Sequence, residues 1–500
     1  MKRNLIVLFF LFAGLCAFKN AAGQSQSLHK IITTDDYDDG FSLVRSADDG
    51  YLICGSTGAA ATGRASVYAV KLDANGVYEW STAFVTEGNS RINGAVEAPD
   101  GDFVLAGFTV SPSGNADALV LRLSPAGDLI FSRFYGSSQN PDYINGISRA
   151  STFSEGFVLA GEQGRSNGKT DAWIFRIDDE GDVVENYLEG GRKNDGFKSV
   201  AVQSGFYAAA GFTASDSPDS GKIACRLRYY NFEFDEVGDY VFNEGNHCNI
   251  KRVAFIGDQA ETGIAVEVQN HDSNYAFAAK YERTSGRQWA LRLDTANSGW
   301  NSLQRDSTFG GIWAGKVQNT EGNHQAAFQS VETFNGIADT LAVFNTPHNY
   351  IVRDVQVDAN YVTMAGTRNK NGTSMGELFL VRTPKNGTFS NADSTLFIDD
   401  NFETILHTDD ILKPMESSDV NIYPNPAGDF INICRSGSNP AEIRILNTAG
   451  IAIKTVHIGG SDQNKQLDIT ALTAGNYLLQ IIEKQGFDRI STVKLFTKQN

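Results

Sequence analysis

The sequence contains few cysteines, prolines and histidines, and each shortage excludes a class of protein. None of the five cysteines lies in a Cys-x-x-Cys pair, which excludes a zinc knuckle and a dithiol redox motif. Eleven prolines in 500 residues exclude a collagen and a proline-rich linker. The seven histidines lie far apart without metal-ligand spacing, and motifs of zinc proteases, P-loop enzymes and GxSxG hydrolases are missing. We predict no metal site, no cofactor and no catalytic residue.

The sequence also has fewer basic than acidic residues. There are 42 Lys and Arg residues against 59 Asp and Glu residues, which gives a formal net charge of −17 at pH 7. A field of this sign opposes nonspecific binding to nucleic acid phosphates and to anionic membrane surfaces. We therefore expect no nucleic acid partner. Because long apolar runs are absent after residue 18, we also expect no transmembrane segment in the mature chain.

The one apolar run lies at the N terminus. Residues 5–18 are apolar, follow two basic residues and precede three small residues that end at Gly23. This order predicts a secretory signal peptide over residues 1–23. A lipoprotein signal at Cys16 is the alternative, but Leu15 stands where a small residue is needed.

Export would place the remaining four cysteines in a compartment that permits disulfides. Cys225 and Cys248 could pair with each other there. Buried, unpaired thiols in strands are the other interpretation, and the sequence alone leaves both open.

Glycine is abundant, at 49 of 500 residues, and many glycines recur in two columns. The first column reads Asp49–Gly55, Asp100–Gly107 and Glu155–Gly161, with weaker copies that close at positions 211, 268, 315 and 366. The second reads Leu72–Gly76, Leu123–Gly127, Ile177–Gly181 and Thr383–Gly387, with weaker copies that end at Gly238, Gly286 and Gly336. Each column advances by 311 residues in six steps, so the chain holds seven copies of about 52 residues.

Each copy predicts four short strands. In the first copy they are Ser42–Arg45, Tyr51–Ser56, Tyr68–Leu72 and Val77–Phe84, with Asn75-Gly76 as a tight hairpin. Aromatic residues after the hairpins are expected to pack between adjacent sheets, namely Trp80, Phe131 and Trp289. We therefore predict an all-β fold, a seven-bladed β-propeller over residues 24–400. The segment Leu28–Thr33 is expected to complete the last blade and close the ring.

The repeat resembles the degenerate propellers of secreted bacterial proteins, with the pattern D-G-x-hydrophobic-hydrophobic-x-G followed by K-L-D-x-x-G-x-x-x-W. This resemblance covers about three quarters of the chain. It implies the fold and says little about function, because propellers carry many functions.

The last part of the chain follows a predicted linker over residues 401–418. Residues 419–500 predict a small, immunoglobulin-like β-sandwich with turn residues between its strands. Its motifs are Tyr423–Pro426, Asn447–Gly450 and Leu472–Tyr477, followed by a basic end at Lys494 and Lys498. In this order they resemble the type A C-terminal sorting domain of the type IX (Por) secretion system.

The resemblance assigns the sorting motif to Tyr423, Pro424, Asn425, Pro426, Gly450, Gly475 and Tyr477. It implies that residues 419–500 bind the type IX secretion machinery and are usually cleaved after export. The protein would then be released or attached to the outer-membrane surface of a Gram-negative bacterium.

One set of polar residues recurs once in each of the first four copies. Asp39, Asn93, Asn145 and Asp195 each precede a glycine, and each is expected just before the innermost strand of its blade. In a propeller such loops meet around one mouth of the central channel. These side chains could therefore coordinate a cation such as calcium or bind sugar hydroxyls. The alternative is that Asp-Gly and Asn-Gly only form the turn that each blade requires.

The sequence favours a monomeric, non-catalytic binding or adhesion module with a glycan or protein ligand. Spacing between copies stays between 47 and 57 residues, which leaves little room for a catalytic insertion. A carbohydrate-active or other extracellular hydrolase on the same scaffold is the first alternative. A structural surface-layer component is the second.

Overall fold

A computed structural model of the chain describes most of the residues after the predicted signal peptide. The described residues are 27–34, 37–59, 64–86, 88–111, 114–137, 139–150, 155–203, 205–219, 221–257, 261–270, 274–293, 298–307, 310–339, 341–369, 376–389, 394–397, 404–405, 421–434, 441–446, 452–459, 464–485 and 488–499. The predicted signal peptide and most of the predicted linker lie outside these ranges.

The described chain consists of β-strands joined by turns and short loops. The first thirteen strands are β1 (Leu28–Thr33), β2 (Asp38–Arg45), β3 (Tyr51–Ala59), β4 (Arg64–Leu72), β5 (Tyr78–Val85), β6 (Asn89–Glu97), β7 (Phe103–Val110), β8 (Ala116–Leu123), β9 (Leu129–Tyr135), β10 (Asp142–Arg149), β11 (Phe157–Gly164), β12 (Thr170–Ile177) and β13 (Val183–Glu189). The next seventeen are β14 (Asp195–Gln203), β15 (Phe206–Thr213), β16 (Ala224–Asn231), β17 (Glu236–Phe242), β18 (His247–Phe255), β19 (Glu261–Gln269), β20 (Asn274–Glu282), β21 (Gly286–Leu293), β22 (Gly299–Asp306), β23 (Gly310–Gln318), β24 (His324–Glu332), β25 (Ala342–Phe344), β26 (Asn349–Val357), β27 (Tyr361–Asn369), β28 (Gly376–Pro384), β29 (Ser394–Phe397) and β30 (Thr404–Ile405).

These thirty strands form seven sheets in the part of the chain that the structure describes. Sheet 1 has the strand order β2-β3-β4-β5-β30, and sheets 2 to 6 each contain the next four strands along the chain. Sheet 7 has the order β26-β27-β28-β1-β29. The first strand of each sheet contacts the first strand of the next, and β26 contacts β2. The innermost strands therefore form a closed ring, and the predicted all-β propeller architecture is confirmed.

The hydrophobic core lies between the sheets rather than at one centre. Seven buried clusters are present, one between each pair of neighbouring sheets, including the pair formed by sheets 7 and 1. Leu52 of β3 packs towards sheet 2, whereas the next residue, Ile53, packs towards sheet 7. Because successive strand side chains point to opposite faces, a strand between two sheets needs a continuous apolar run. This explains the uninterrupted hydrophobic residues in the first repeat column.

The glycines that close the first column lie where two backbones touch. A Cβ atom at Gly107 would collide with the carbonyl oxygen of Arg91 on the innermost strand. The close approach of the two backbones explains why a small residue closes the column, but one predicted copy is misaligned. In sheet 5 the residue equivalent to Gly107 is Val266 rather than the predicted Val268. Gly107 pairs with Ile92 in sheet 2, and Val266 pairs with the equivalent Ile250 in sheet 5.

The hairpin glycines of the second column combine two constraints. Gly127 has a φ of 90°, and a Cβ atom there would lie 2.7 Å from Cε3 of Trp80 in the preceding sheet. The indole Nε1 of Trp80 also donates to the carbonyl of Pro125 at 2.9 Å, so Trp80 packs between two adjacent sheets as predicted. Sheet 4 differs from the prediction. Its turn residue with positive φ is Phe234, at 61°, and Gly238 lies inside β17.

The N-terminal strand closes the ring. β1 pairs antiparallel with β28 from the end of the propeller, with Leu28 opposite Arg382, as predicted. β29 then pairs parallel with β1, and β30 pairs parallel with β5 of sheet 1. Two sheet edges that would otherwise face solvent are thus covered by chain from the end of the propeller.

A disulfide links two neighbouring sheets. Cys225 of β16 and Cys248 of β18 are joined, with their Cα atoms 4.9 Å apart. Among the described cysteines, Cys54 and Cys434 are free. The disulfide resolves the question that the sequence left open.

The C-terminal segment forms two further sheets from β31 (Asn421–Tyr423), β32 (Phe430–Cys434), β33 (Ala441–Leu446), β34 (Ala452–Ile458), β35 (Asn464–Asp468), β36 (Gly475–Gln485) and β37 (Asp488–Lys498). One sheet has the order β31-β32-β35 and the other β34-β33-β36-β37. A single buried cluster includes Ile431 from the first sheet and Ile443 from the second. The two sheets share one core, as expected for a sandwich. Its immunoglobulin-like classification stays a prediction.

Candidate functional site

Each innermost strand of the propeller contains a β-bulge at the same place. The register shifts between Gly40 and Ser42 in sheet 1, and at equivalent points in the other six sheets. We call the extra residues the bulge residues, and they are Phe41, Asn93, Asn145, Lys198, Lys251, Asn301 and Arg353. A bulge re-aims side chains and often lies next to functional sites.

The four residues of the predicted ring do not occupy equivalent positions. Asn93 and Asn145 are bulge residues, but Asp39 lies two residues before its bulge residue and Asp195 three residues before. All four lie within innermost strands, so their predicted location before those strands is wrong. The four residues look equivalent in sequence because each precedes a glycine. The position of a bulge has no sequence signature, so the sequence could not show that they lie at different distances from it. That the four bind a ligand stays a prediction.

The bulge asparagines connect neighbouring sheets. The amide of Asn93 donates to the carbonyl of Ile144 at 2.7 Å, and the amide of Asn145 donates to the carbonyl of Phe197 at 2.9 Å. Asn301 makes the same bond, at 2.7 Å, to the carbonyl of Val352. Because these amides are engaged with backbone, their first role is to hold the ring together.

Asp195 is a buried acceptor for local donors. Its carboxylate accepts from the hydroxyl of Thr213 at 2.5 Å, the hydroxyl of Ser215 at 2.6 Å and the backbone N–H of Gly191 at 3.1 Å. Asp38 and Asp142 occupy the equivalent position in sheets 1 and 3 and are also fully buried. These carboxylates organise the loops that precede the innermost strands.

Half-buried aromatic rings lie beside arginines at the same end of the ring. We call Phe41, Phe108 and Tyr143 the rim aromatics. The guanidinium carbon of Arg91 lies 4.3 Å from the Phe41 ring centre and 5.0 Å from that of Phe108. Arg353 approaches Phe41 at 5.0 Å, so the two arginines share one ring. Phe108 meets Tyr143 edge to face at 5.0 Å, which continues the surface into sheet 3.

Five half-buried cations belong to this rim. We call Arg91, Lys198, Lys251, Lys316 and Arg353 the rim cations. We call Asp39, Glu162 and Glu267 the rim carboxylates. Lys198 pairs with Glu162, and Lys251 pairs with Glu267 at 2.7 Å. Arg353 lies 3.9 Å from Asp39. The carboxylate of Asp39 also accepts from the hydroxyl of Thr367.

Two rim cations have no carboxylate within ion-pair distance among the described residues, namely Arg91 and Lys316. Burial lowers the pKa of the Arg91 guanidinium, and the positive charge of Arg353 lowers it further against the opposing effect of Asp39. Burial likewise lowers the pKa of Lys316. The negative charge of Glu267 opposes this shift, and the positive charges of Arg353 and Lys251 add to it. Both cations are therefore partly desolvated and face like charge.

An ion pair joins two innermost strands whose sheets are not neighbours in the ring. Arg252 of sheet 5 and Asp354 of sheet 7 meet at 2.8 Å between Nη2 and Oδ1. Since sheet 6 lies between those two sheets along the ring, the pair must span the interior.

Two cavities lie beside the rim, in sheets 4 to 6. The smaller, of about 180 Å³, is lined by Glu267, Asn274, Ser298, Lys316, Gln318 and His324. The larger, of about 450 Å³, shares Asn274 and is rich in amide side chains, including Asn246 and Asn270.

No group of three or more His, Cys, Asp or Glu side chains in the described ranges is arranged to hold a metal ion. Within the same ranges, no helix has the length and hydropathy needed to cross a membrane.

The motif at the start of the C-terminal segment is bonded to the end of the chain. The side-chain oxygen of Asn425 accepts from the backbone N–H of Thr497 at 2.9 Å. Ala427 N–H donates to the Thr497 carbonyl at 2.7 Å. Tyr423 is exposed, whereas Tyr477 is buried, stacks on Phe496 and donates to the carbonyl of Thr473 at 2.8 Å. Gly450 lies outside the described residues, and Gly475 begins β36.

Comparison with known families identifies this segment. Residues 421–494 match the family of the secretion system C-terminal sorting domain. The domain marks proteins that the type IX system exports in Bacteroidetes, where they are released or attached at the cell surface. The predicted sorting domain and localisation are therefore confirmed. No curated protein matches the chain.

Several solved structures are similar to the propeller at low identity. The β-propeller domain of the Trilobed protease from Pyrococcus furiosus is 9% identical, with 70% of this chain and 96% of that chain covered and a TM-score of 0.42. Sqt1 from Chaetomium thermophilum is 12% identical, with 71% and 97% covered and a TM-score of 0.39. A protein of unknown function from Dyadobacter fermentans is 12% identical, with 72% and 99% covered and a TM-score of 0.39.

Proposed function

We propose that this chain is an exported, non-catalytic binding protein whose propeller holds a ligand at the rim. Residues 419–500 bind the type IX machinery, and the signal peptide over residues 1–23 starts export. The arrangement of Phe41 between Arg91 and Arg353 carries the proposal. Half-buried aromatic rings with charged groups beside them are the usual composition of a recognition surface.

The rim is suited to binding because rigid elements hold it. Phe41 and Arg353 are bulge residues on innermost strands, and those strands are fixed by inter-sheet bonds such as that of Asn301. A surface that is already ordered loses little conformational entropy when a ligand binds. The rim therefore favours recognition over a role as an inert structural element.

The test uses the full chain without residues 1–23 on a glycan array, with product analysis on the same glycans. Binding without product release, lost in Phe41→Ala and Tyr143→Ala, is the expected result. Ile130→Ala is the matched control, because Ile130 is an exposed side chain on the outermost strand of sheet 2. Product release, or binding that the two rim variants leave unchanged, would overturn the proposal.

A further inference from the structure

Two of the rim cations are candidates to bind an anion. Arg91 and Lys316 make no ion pair among the described residues, and both are half-buried. Buried charges are normally paired, because desolvation without a partner is costly. Arg91 and Arg353 both lie against the Phe41 ring, at 4.3 and 5.0 Å, and Lys316 lies on β23 of sheet 6, which is next to the sheet that carries Arg353. An incoming anion would supply the missing partner.

We propose that the rim binds the anionic group of an acidic oligosaccharide, a carboxylate or a sulfate ester, through Arg91, Arg353 and Lys316. This inference rests on the proposed function and specifies its ligand class. The Arg91 guanidinium uses Nε on the side-chain oxygen of Asn93 at 2.8 Å, which leaves its terminal N–H groups for the ligand. A guanidinium fork matches the planar geometry of a carboxylate and also binds sulfated groups.

The rim carboxylates indicate that the anion also carries hydroxyl groups. Asp39 and Glu162 keep 17% and 14% of their side chains exposed while they are paired with cations. A carboxylate has about four acceptor sites, so one ion pair does not exhaust it. For a ligand that offered only negative charge, these groups would be repulsive. For a sugar acid they are acceptors of hydroxyl hydrogens, while the rim aromatics contact the apolar face of the ring.

The charge of the whole protein limits the ligand to a short chain or a chain end. The formal net charge of −17 repels a long polyanion that would extend over the outer surface. A few saccharide units at the rim satisfy this limit.

The test is calorimetric titration of the full chain without residues 1–23 with three trisaccharides. They are trigalacturonate, a sulfated galactan trisaccharide without carboxylates, and neutral galactotriose. Binding of at least one acidic trisaccharide at least tenfold tighter than the neutral one is expected, and the two acidic probes distinguish carboxylate from sulfate. Equal affinity for all three, binding only of galactotriose, or no binding of either acidic probe would overturn the inference.

Matched variants locate the site. Arg91→Gln and Lys316→Met should each weaken the acidic trisaccharide at least tenfold, with unchanged thermal unfolding. Arg192→Gln and Lys169→Met are the controls, because both side chains are exposed on loops and form no ion pair among the described residues. Unchanged affinity in the rim variants would overturn the inference.

Failure of the inference and failure of the proposed function give different results. If galactotriose binds as tightly as the acidic probes, or binds alone, and Phe41→Ala abolishes that binding, the anionic class is wrong and the binding function stands. If Phe41→Ala and Tyr143→Ala leave every measured affinity unchanged, both proposals fail.

Discussion

Arg252 and Asp354 are 102 positions apart in sequence and form a 2.8 Å ion pair across the interior of the ring. The Asp354 carboxylate also accepts from the hydroxyl of Ser302 in sheet 6 at 2.7 Å and from the backbone N–H of Leu43 in sheet 1 at 3.0 Å. One carboxylate thus joins four consecutive sheets where the ring closes. The Asp354 carboxylate therefore stabilises the closed ring both through an ion pair and through a hydrogen bond to the backbone.

Asp354→Ala should lower the free energy of unfolding of the propeller by about 3–5 kcal/mol, because it leaves a buried set of donors without their acceptor. Arg252→Met should cost less, since the Arg252 side chain is 31% exposed and Asp354 keeps its other donors. Urea unfolding followed by tryptophan fluorescence measures the change in the propeller, because all five tryptophans lie there. Glu321→Gln, at an exposed turn, is the control, and equal stability of Asp354→Ala and this control would contradict the prediction.

Gly127→Ala should destabilise the propeller more than Gly114→Ala, by roughly 1–3 kcal/mol. Both glycines have nearly the same φ, 90° and 89°, so both variants incur the same backbone strain. Only at Gly127 would the new Cβ press on Trp80, and nothing lies within 4 Å at Gly114. The difference between the two urea midpoints isolates this inter-sheet contact, and a difference of zero would show that the indole moves aside.

Reduction of the Cys225–Cys248 disulfide should lower the free energy of unfolding by about 3 kcal/mol, because a loop of 23 residues is released in the unfolded chain. Unfolding is compared with and without reductant. The Cys225→Ala/Cys248→Ala double variant is the control, and its stability should not respond to reductant. Thiol titration of the denatured full chain without residues 1–23 should find two free thiols, from Cys54 and Cys434. Four free thiols would contradict the linkage.

Asp142 should make stability depend on pH in a defined window. Burial raises its pKa from the ordinary value of 3.8 to about 7, against the opposing backbone N–H bonds from Ser137 and Gly164. Between about pH 4 and pH 7 the folded chain therefore holds a proton that the unfolded chain has lost. The contribution of this group to stability is greatest below pH 4 and falls as the pH rises to 7.

The measurement for Asp142 is the difference in unfolding free energy between the native chain and Asp142→Asn from pH 4 to pH 8. Subtraction cancels the other titrating groups that both proteins share. The native chain should lose stability relative to the variant up to pH 7, with little change above that. A difference that is constant, or that rises with pH, would be incompatible with the raised pKa.

Local sequence determined the parts of this protein that depend on neighbouring residues. Glycine at positions such as 76 and 127 marks a hairpin because the turn requires positive φ, so the strands and their period could be predicted. The motif Tyr423–Pro426 likewise indicated the sorting domain, because a short continuous motif can be recognised in the sequence without knowing which residues it contacts. The first repeat column predicted strands such as the one over Tyr51–Ser56, which the structure places within β3.

Tertiary structure alone decided which side chains meet at the rim. A bulge adds one residue to each innermost strand, so Asp39 and Asn93 look alike in sequence but occupy different positions. The contacts of Phe41 with Arg91 and Arg353, and the pair of Arg252 with Asp354, form only when the ring has closed. Sequence spacing fixes strands and turns because these are local, whereas register and closure depend on packing between sheets that lie far apart along the chain.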